Sequence, residues 1–207
     1  TRRSAGGCLP ARTAPPSSWS AAALHLRRRW RSLAVFTSAQ LIWGALPLVN
    51  LPLWTRAASS ASFGLYLSVG MLSGALASAA VARWSVWRPS WLWTAAALMP
   101  LALVSLGVSD ASVGTLLTFS AVFGVLSAVV GTACTATLVA SADACAGRVQ
   151  GLLSVLAAGL RLAVLEGTGA LGIVGRADLV AVVAGLGGTL VLLGGLLLPE
   201  ADDVSGT

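Results

Sequence analysis

The chain has no lysine, one histidine (His25), three cysteines and only seven acidic residues in 207. Each shortage removes a class of chemistry. A phosphate-cradling loop needs glycines before a Lys-Ser/Thr pair, and there is no lysine to complete it. His25 lies outside every long apolar stretch, so neither a Ser–His hydrolase among the helices nor a paired-His metalloprotease can be assembled. No Asp-rich motif for a metal-bound pyrophosphate is present. Cys8, Cys134 and Cys145 have no metal or redox spacing. Cys134 sits inside an apolar stretch, where a small, polarisable packing residue is expected. The inventory argues against an enzyme, and no cofactor or metal is expected.

Charge is the other shortage. Charged residues make up 10% of the chain, against about 25% in a soluble domain. What fills the space is apolar: residues 32–55, 57–82, 89–109, 111–142 and 179–199 contain no Asp, Glu, Lys or Arg. A sixth stretch, 149–175, is broken only by Arg161 and Glu166. A bilayer core of about 30 Å takes roughly 20 apolar helical residues to cross. The expected fold is therefore all-α: a polytopic membrane protein with six transmembrane helices in one bundle.

Helices are expected over Leu33–Leu53, Ser60–Ala82, Trp91–Val108, Ser112–Ala140, Val149–Gly172 and Leu179–Leu198. The domain over 31–199 is preceded by a flexible basic arm (1–30) and followed by an acidic tail (200–207). Pro47 and Pro52 are expected to bend the outer half of the first span. Trp54 and Arg56 are expected at the outer interface, and the basic, aromatic turn Arg83–Trp91 at the inner one. Gly70, Gly74 and Ser78 recur every four residues, as do Ser120, Gly124, Ala128, Thr132 and Ala136. Small residues on one face let helices approach closely.

The net charge of +6 comes entirely from arginine. Most of these arginines flank helices, where they set orientation, so nucleic acid is not an expected partner. With the amino terminus inside, Arg27, Arg28, Arg29, Arg31, Arg83, Arg88 and Arg148 are cytoplasmic, and Arg56 and Arg176 lie outside. That asymmetry predicts both termini in the cytoplasm. Six spans divide into two sets of three, and an odd number inverts one set against the other, although residues 33–108 and 112–198 share no evident identity. The arginine, alanine, glycine, leucine and valine excess suggests a GC-rich bacterial genome.

Arg161 and Glu166 are the sharpest candidates. A charge at mid-bilayer costs at least about 2.5–3.5 kcal/mol on insertion scales, and such groups usually face a bundle interior or a water-filled cavity. Five residues correspond to about 500° of rotation, so the two stand about 140° apart on a regular helix. Each then needs a water cavity, a local distortion of the helix or another partner: a second six-helix half, a second subunit or a substrate. The alternative is that Glu166 reaches the outer interface and backbone carbonyls hold Arg161. Glu166 is the only acid among the spans and so the in-chain candidate for proton coupling. Gln40 and Asn50 are candidates to line a solute pathway or to hydrogen-bond between helices.

The stretch Ala146-Gly147-Arg148-Val149-Gln150-Gly151-Leu152-Leu153, followed by Gly159, Gly167, Gly169 and Gly172, resembles the loop and eleventh helix of major facilitator superfamily exporters. The basic arm before Leu33 resembles that family's central cytoplasmic loop, and Arg83–Arg88 its loop between helices eight and nine, without the usual Asp and denser basic run. The resemblance covers about residues 27–199, the carboxy-terminal half of such a transporter. It implies a bacterial inner-membrane protein that moves a small organic solute, outward and coupled to protons, by alternating access between two six-helix halves. The chain begins with Thr, and a half alone does not enclose a central cavity, so either a fragment lacking the amino-terminal half or a half that assembles with a second subunit is expected. The competing readings are a membrane subunit of a multi-component transporter and a non-transporting assembly or sensory protein.

Overall fold

A computed structural model describes residues 19–83, 89–173 and 175–197. Among them all regular structure is helical. A short helix, α1 (Trp19–Arg28), leads into α2 (Trp30–Ala57), α3 (Phe63–Arg83), α4 (Pro89–Val108), α5 (Val113–Cys134), α6 (Ala146–Ala170) and α7 (Ala177–Leu197). Six of these, α2 to α7, are long and apolar enough to cross a membrane. The chain is an all-α, multi-pass membrane protein. Helices suit lipid because each backbone N–H and C=O is satisfied within its own segment. Residues 1–18, Trp84, Trp87 and Arg88 of the expected aromatic turn, and the acidic tail lie outside the described residues.

The principal contacts arrange the spans in two layers. α3, α5, α2 and α6 stand side by side in that order, and α4 and α7 pack behind α5 and α2. Exchanging α2, α3 and α4 for α5, α6 and α7 maps most of this pattern onto itself, although among the described residues the contact of α2 with α4 has no like contact of α5 with α7. The α2–α6 contact becomes α5–α3, α2–α7 becomes α5–α4, and α2–α5 and α4–α7 are unchanged. The packing is compatible with the three-plus-three arrangement that residue identity did not reveal.

Lipid is as apolar as the helix surfaces, so close packing rather than apolar burial holds such helices together. The two small-residue stripes meet as expected. A Cβ built on Gly74 would lie 3.1 Å from the Gly124 carbonyl oxygen, and one on Gly124 would overlap the Gly70 carbonyl. The Ser120 hydroxyl donates to the Tyr66 carbonyl at 2.7 Å across the same seam. A second seam went unread: Gly188 and Gly195 of α7 face Ser38 and Ala34 of α2, and Gly185 faces Pro100 and Val104 of α4. The signal was available, because 188 and 195 are seven residues apart and share a face.

Two expectations change. The arm expected to be flexible over 1–30 is helical over Trp19–Arg28, with Ala22 and Leu26 buried. It docks on α6 and on the turn before it. His25 Nε2 lies 3.2 Å from the Leu138 carbonyl oxygen, and the Arg148 guanidinium stands 5.7 Å over the Trp19 ring. Trp54, in the last turn of α2, is 1% exposed. Its Nε1–H reaches Ser59 O and Ser62 Oγ, each at 3.2 Å, and so locks the α2–α3 turn. The helix expected to run to Ala140 passes at Thr135–Val139 into a π-helical turn, and the polar link to the next span is a 3-10 turn (Ala140–Cys145) that leads directly into α6. Pro47 and Pro52 lie within a single helix of 28 residues.

The carboxy-terminal end of α6 is closed by a left-handed glycine. Gly172 has φ +63°. Ile173 N–H donates to Thr168 O at 3.2 Å and Gly172 N–H to Gly169 O at 3.0 Å, the paired bonds of a Schellman cap. Gly172→Ala is expected to cost about 1–2 kcal/mol through its left-handed backbone, read as a shift in detergent-mediated unfolding. No shift would contradict the cap.

Candidate functional site

Gln40, Trp43 and Asn50 stand three and seven residues apart along α2, a spacing that places them on one face. That face looks away from α4 and α7. On one side of Trp43 lies a cavity of about 240 Å³ between α2, α5 and α6, lined by Phe36, Gln40, Gly131, Cys134, Gln150 and Ser154 among others. On the other side is a hollow of about 230 Å³ between α2, α3 and α5, where Asn50 meets Tyr66, Met71 and Phe123. Trp43 borders both, and its Nε1–H donates to Ser127 Oγ at 3.1 Å, which fixes the ring across the α2–α5 seam.

The four candidate residues separate in the folded bundle. Gln40 and Arg161 come together: Arg161 Nε–H donates to Gln40 Oε1 at 3.1 Å. Gln40 is 3% exposed. The contact is possible because Gly44 has no side chain. A Cβ there would lie 3.1 Å from the Arg161 Cα, so α6 runs against α2 at this level. The partner that Arg161 needs is therefore, in part, a neutral amide 121 residues away. Among the described residues no other group bonds its guanidinium.

Glu166 is elsewhere. It is exposed on α6, and among the described residues it has no ion pair or hydrogen bond. The face of α6 that meets α2 carries Val149, Leu153 and Thr168. Glu166 points away from that face and from Arg161. It lies four residues, about 6 Å, from the end of α6, whereas Arg161 lies about 13 Å from it. The Glu166 carboxylate can therefore reach the interface, and Arg161 sits at membrane depth. Asn50 is also apart from Arg161, and its Oδ1 is buried without a hydrogen-bond partner.

Sequence reading missed the floor of the larger cavity. Thr135 and Val139 belong to the π-helical turn and line it. The Thr135 hydroxyl donates to the Gly131 carbonyl at 2.9 Å and that of Thr137 to Ala133 at 2.9 Å. Such turns recur at functional sites because they displace the backbone from the regular ladder. The threonine-rich run at 132–137 was the only visible hint. No cluster of His, Cys, Asp or Glu suited to a metal ion occurs among the described residues.

The edge helices leave the site unfinished. α3 exposes Leu65, Met71, Leu72 and Leu76, and α6 exposes Val155, Leu162 and Leu165. Between them the Trp43 face is uncovered. The chain matches no protein-family model, no curated protein and no solved structure. Fold and site together define a six-span membrane bundle with an amide-lined cavity whose wall residue Gln40 is bonded to Arg161.

Proposed function

We propose that the chain is one six-helix half of a secondary transporter of the major facilitator type, in which it forms the carboxy-terminal half. It moves a small organic solute outward across a bacterial inner membrane by alternating access. The observation that carries this reading is the open layer. The two cavities beside Trp43 and the mid-helix charge of Arg161 lie along the layer formed by α3, α5, α2 and α6, whose edge helices α3 and α6 are poorly covered. A second six-helix unit set against that layer would enclose a path near the midplane, the expected position for solute binding between repeats. Rocking of the two units about that path would expose it to each side in turn.

The arginine asymmetry orients the unit with both ends cytoplasmic. The larger cavity then opens in the inner half of the membrane, beneath α1, since Gln150 and Val139 stand near the cytoplasmic ends of their helices. Glu166, at the outer end of α6, is set aside as the proton-coupling group. Coupling falls to an acid contributed by the second unit.

Everted membrane vesicles from cells producing the protein should accumulate an organic dye when a proton gradient is imposed, beyond vesicles from cells lacking it. Equal accumulation across cationic, neutral and anionic dyes, with and without the protein, would contradict the reading. Glu166→Gln should leave accumulation within about twofold, because the group bonds to nothing among the described residues; a collapse would return it to the pathway.

A further inference from the structure

We infer that the cavity between α2, α5 and α6 binds an organic anion: a small carboxylate with an aromatic or other apolar body. The inference rests on the transporter reading for its purpose and on the cavity's own chemistry for its ligand.

The argument begins with the donors of Arg161. A guanidinium carries five N–H donors in a rigid fork. Only the Nε–H is answered within the bundle, by Gln40 Oε1 at 3.1 Å. The fork's terminal nitrogens bond to nothing among the described residues. They are the groups that meet a carboxylate edge-on in a two-bond pair. Gln40 itself lines the cavity, so its bond to Nε ties the cation to the cavity wall. Gln150, Ser154 and Ala157, which also line it, recur along α6 with helical spacing, and Arg161 is the next position on that face, one turn beyond Ala157. Arg161 does not itself line the cavity and is exposed; its bond to Gln40 holds the guanidinium beside the cavity wall.

Nothing nearby neutralises it. No acidic side chain lines the cavity among the described residues, and Glu166 lies about 140° away around α6. In a medium of low dielectric a cation with open donors attracts an anion far more strongly than in water. A neutral solute would leave the donors unanswered, and a cationic one would be repelled.

The remaining walls select the body. Phe36, Trp43, Val130 and Leu153 give apolar surface, and Gln150 and Ser154 add neutral polar groups. The volume of about 240 Å³ is the share of roughly eight liquid waters. It falls below the usual range of about 300–1,000 Å³ for drug-sized ligands. A one- or two-ring acid fits this space.

The test is equilibrium binding to the purified full chain in lipid nanodiscs. Three probes of one shape are compared: 2-naphthylacetate, its methyl ester, and 2-(naphthyl)ethylammonium. The acid should bind about tenfold or more tighter than the other two. Arg161→Gln should abolish the preference, and Arg161→Lys should keep part of it. Gln40→Glu gives a second route that preserves the fold. It sets a carboxylate where the Gln40 amide now meets Arg161, satisfies the guanidinium internally, and should remove the preference as fully. Equal affinity for the three probes, or an acid preference that survives in both Arg161→Gln and Gln40→Glu, would overturn the inference. The vesicle assay separates this from the transporter reading. Arg161-dependent acid binding without solute accumulation would uphold the site and refute transport. Accumulation of cationic dyes without acid preference would uphold transport and refute the site.

Discussion

Gly124→Leu is expected to destabilise the bundle by about 3 kcal/mol, the upper end of the usual cost of overpacking. The reason is that backbone stands on both sides of the seam. A Cβ at 124 would overlap the Gly70 carbonyl and the Ser73 hydroxyl. Neither can yield as the tip of a long side chain would, because Gly70 is held in α3 and Ser73 Oγ donates to Gly70 O at 2.9 Å. α3 must therefore move away from α5 as a unit, and its one large lateral contact is lost with it. The Ser120–Tyr66 bond lies on the same seam and would break. Gly64→Leu is the control: nothing lies within 4 Å of a Cβ there, and its effect should stay within about 1 kcal/mol, the scale of helix propensity. Unfolding in mixed detergent micelles measures both. Equal, small effects would mean that α3 and α5 do not approach as described.

The second large effect is expected from Arg161→Ala. It should lower solute transport about ten- to a hundredfold with the protein still folded and inserted. Hydrogen bonds to charged groups contribute about 1.5–3 kcal/mol, and each 1.4 kcal/mol is tenfold. The fold should survive because Arg161 makes a single hydrogen bond and is exposed, while the close approach of α2 and α6 depends on Gly44. Gln40→Leu should cost less, several-fold, since it removes the anchor and leaves the cation. Transport is read as initial rate in vesicles normalised to inserted protein. Full activity in Arg161→Ala would remove the residue from the pathway.

How much of this was legible beforehand depended on what lipid lets a sequence record. The six spans were plain, because length and absence of charge are all that crossing requires, and their bounds agreed with α2 to α7 within a few residues. The α3–α5 seam was half legible. The stripes at 70–74 and 120–124 announced close approach, but nothing in either stripe named the other as its partner. Arg161 stood out through the cost of burying charge. Its bond to Gln40 did not, since a span whose faces are all apolar carries no inside–outside alternation to say which face meets which neighbour. For the same reason the exposed flanks of α3 and α6 could not be read. α1 was hidden differently: three buried or docking positions, Trp19, Ala22 and Leu26, are too few to show a period beside four nearby arginines. The π-helical turn left only the threonine-rich run at 132–137 as a hint.

Impermeant thiol labelling bears most directly on the open layer. In a background with all three native cysteines replaced, Ser154→Cys stands on the wall of the larger cavity, and Leu190→Cys stands on the outer face of α7, where the native leucine is 69% exposed. Water should reach the first and lipid should cover the second. Rapid modification of Ser154→Cys, slowed by 2-naphthylacetate, beside an unreactive Leu190→Cys is the predicted result. A reactive Leu190→Cys beside a silent Ser154→Cys would mean that solvent and lipid lie on the opposite sides of this bundle.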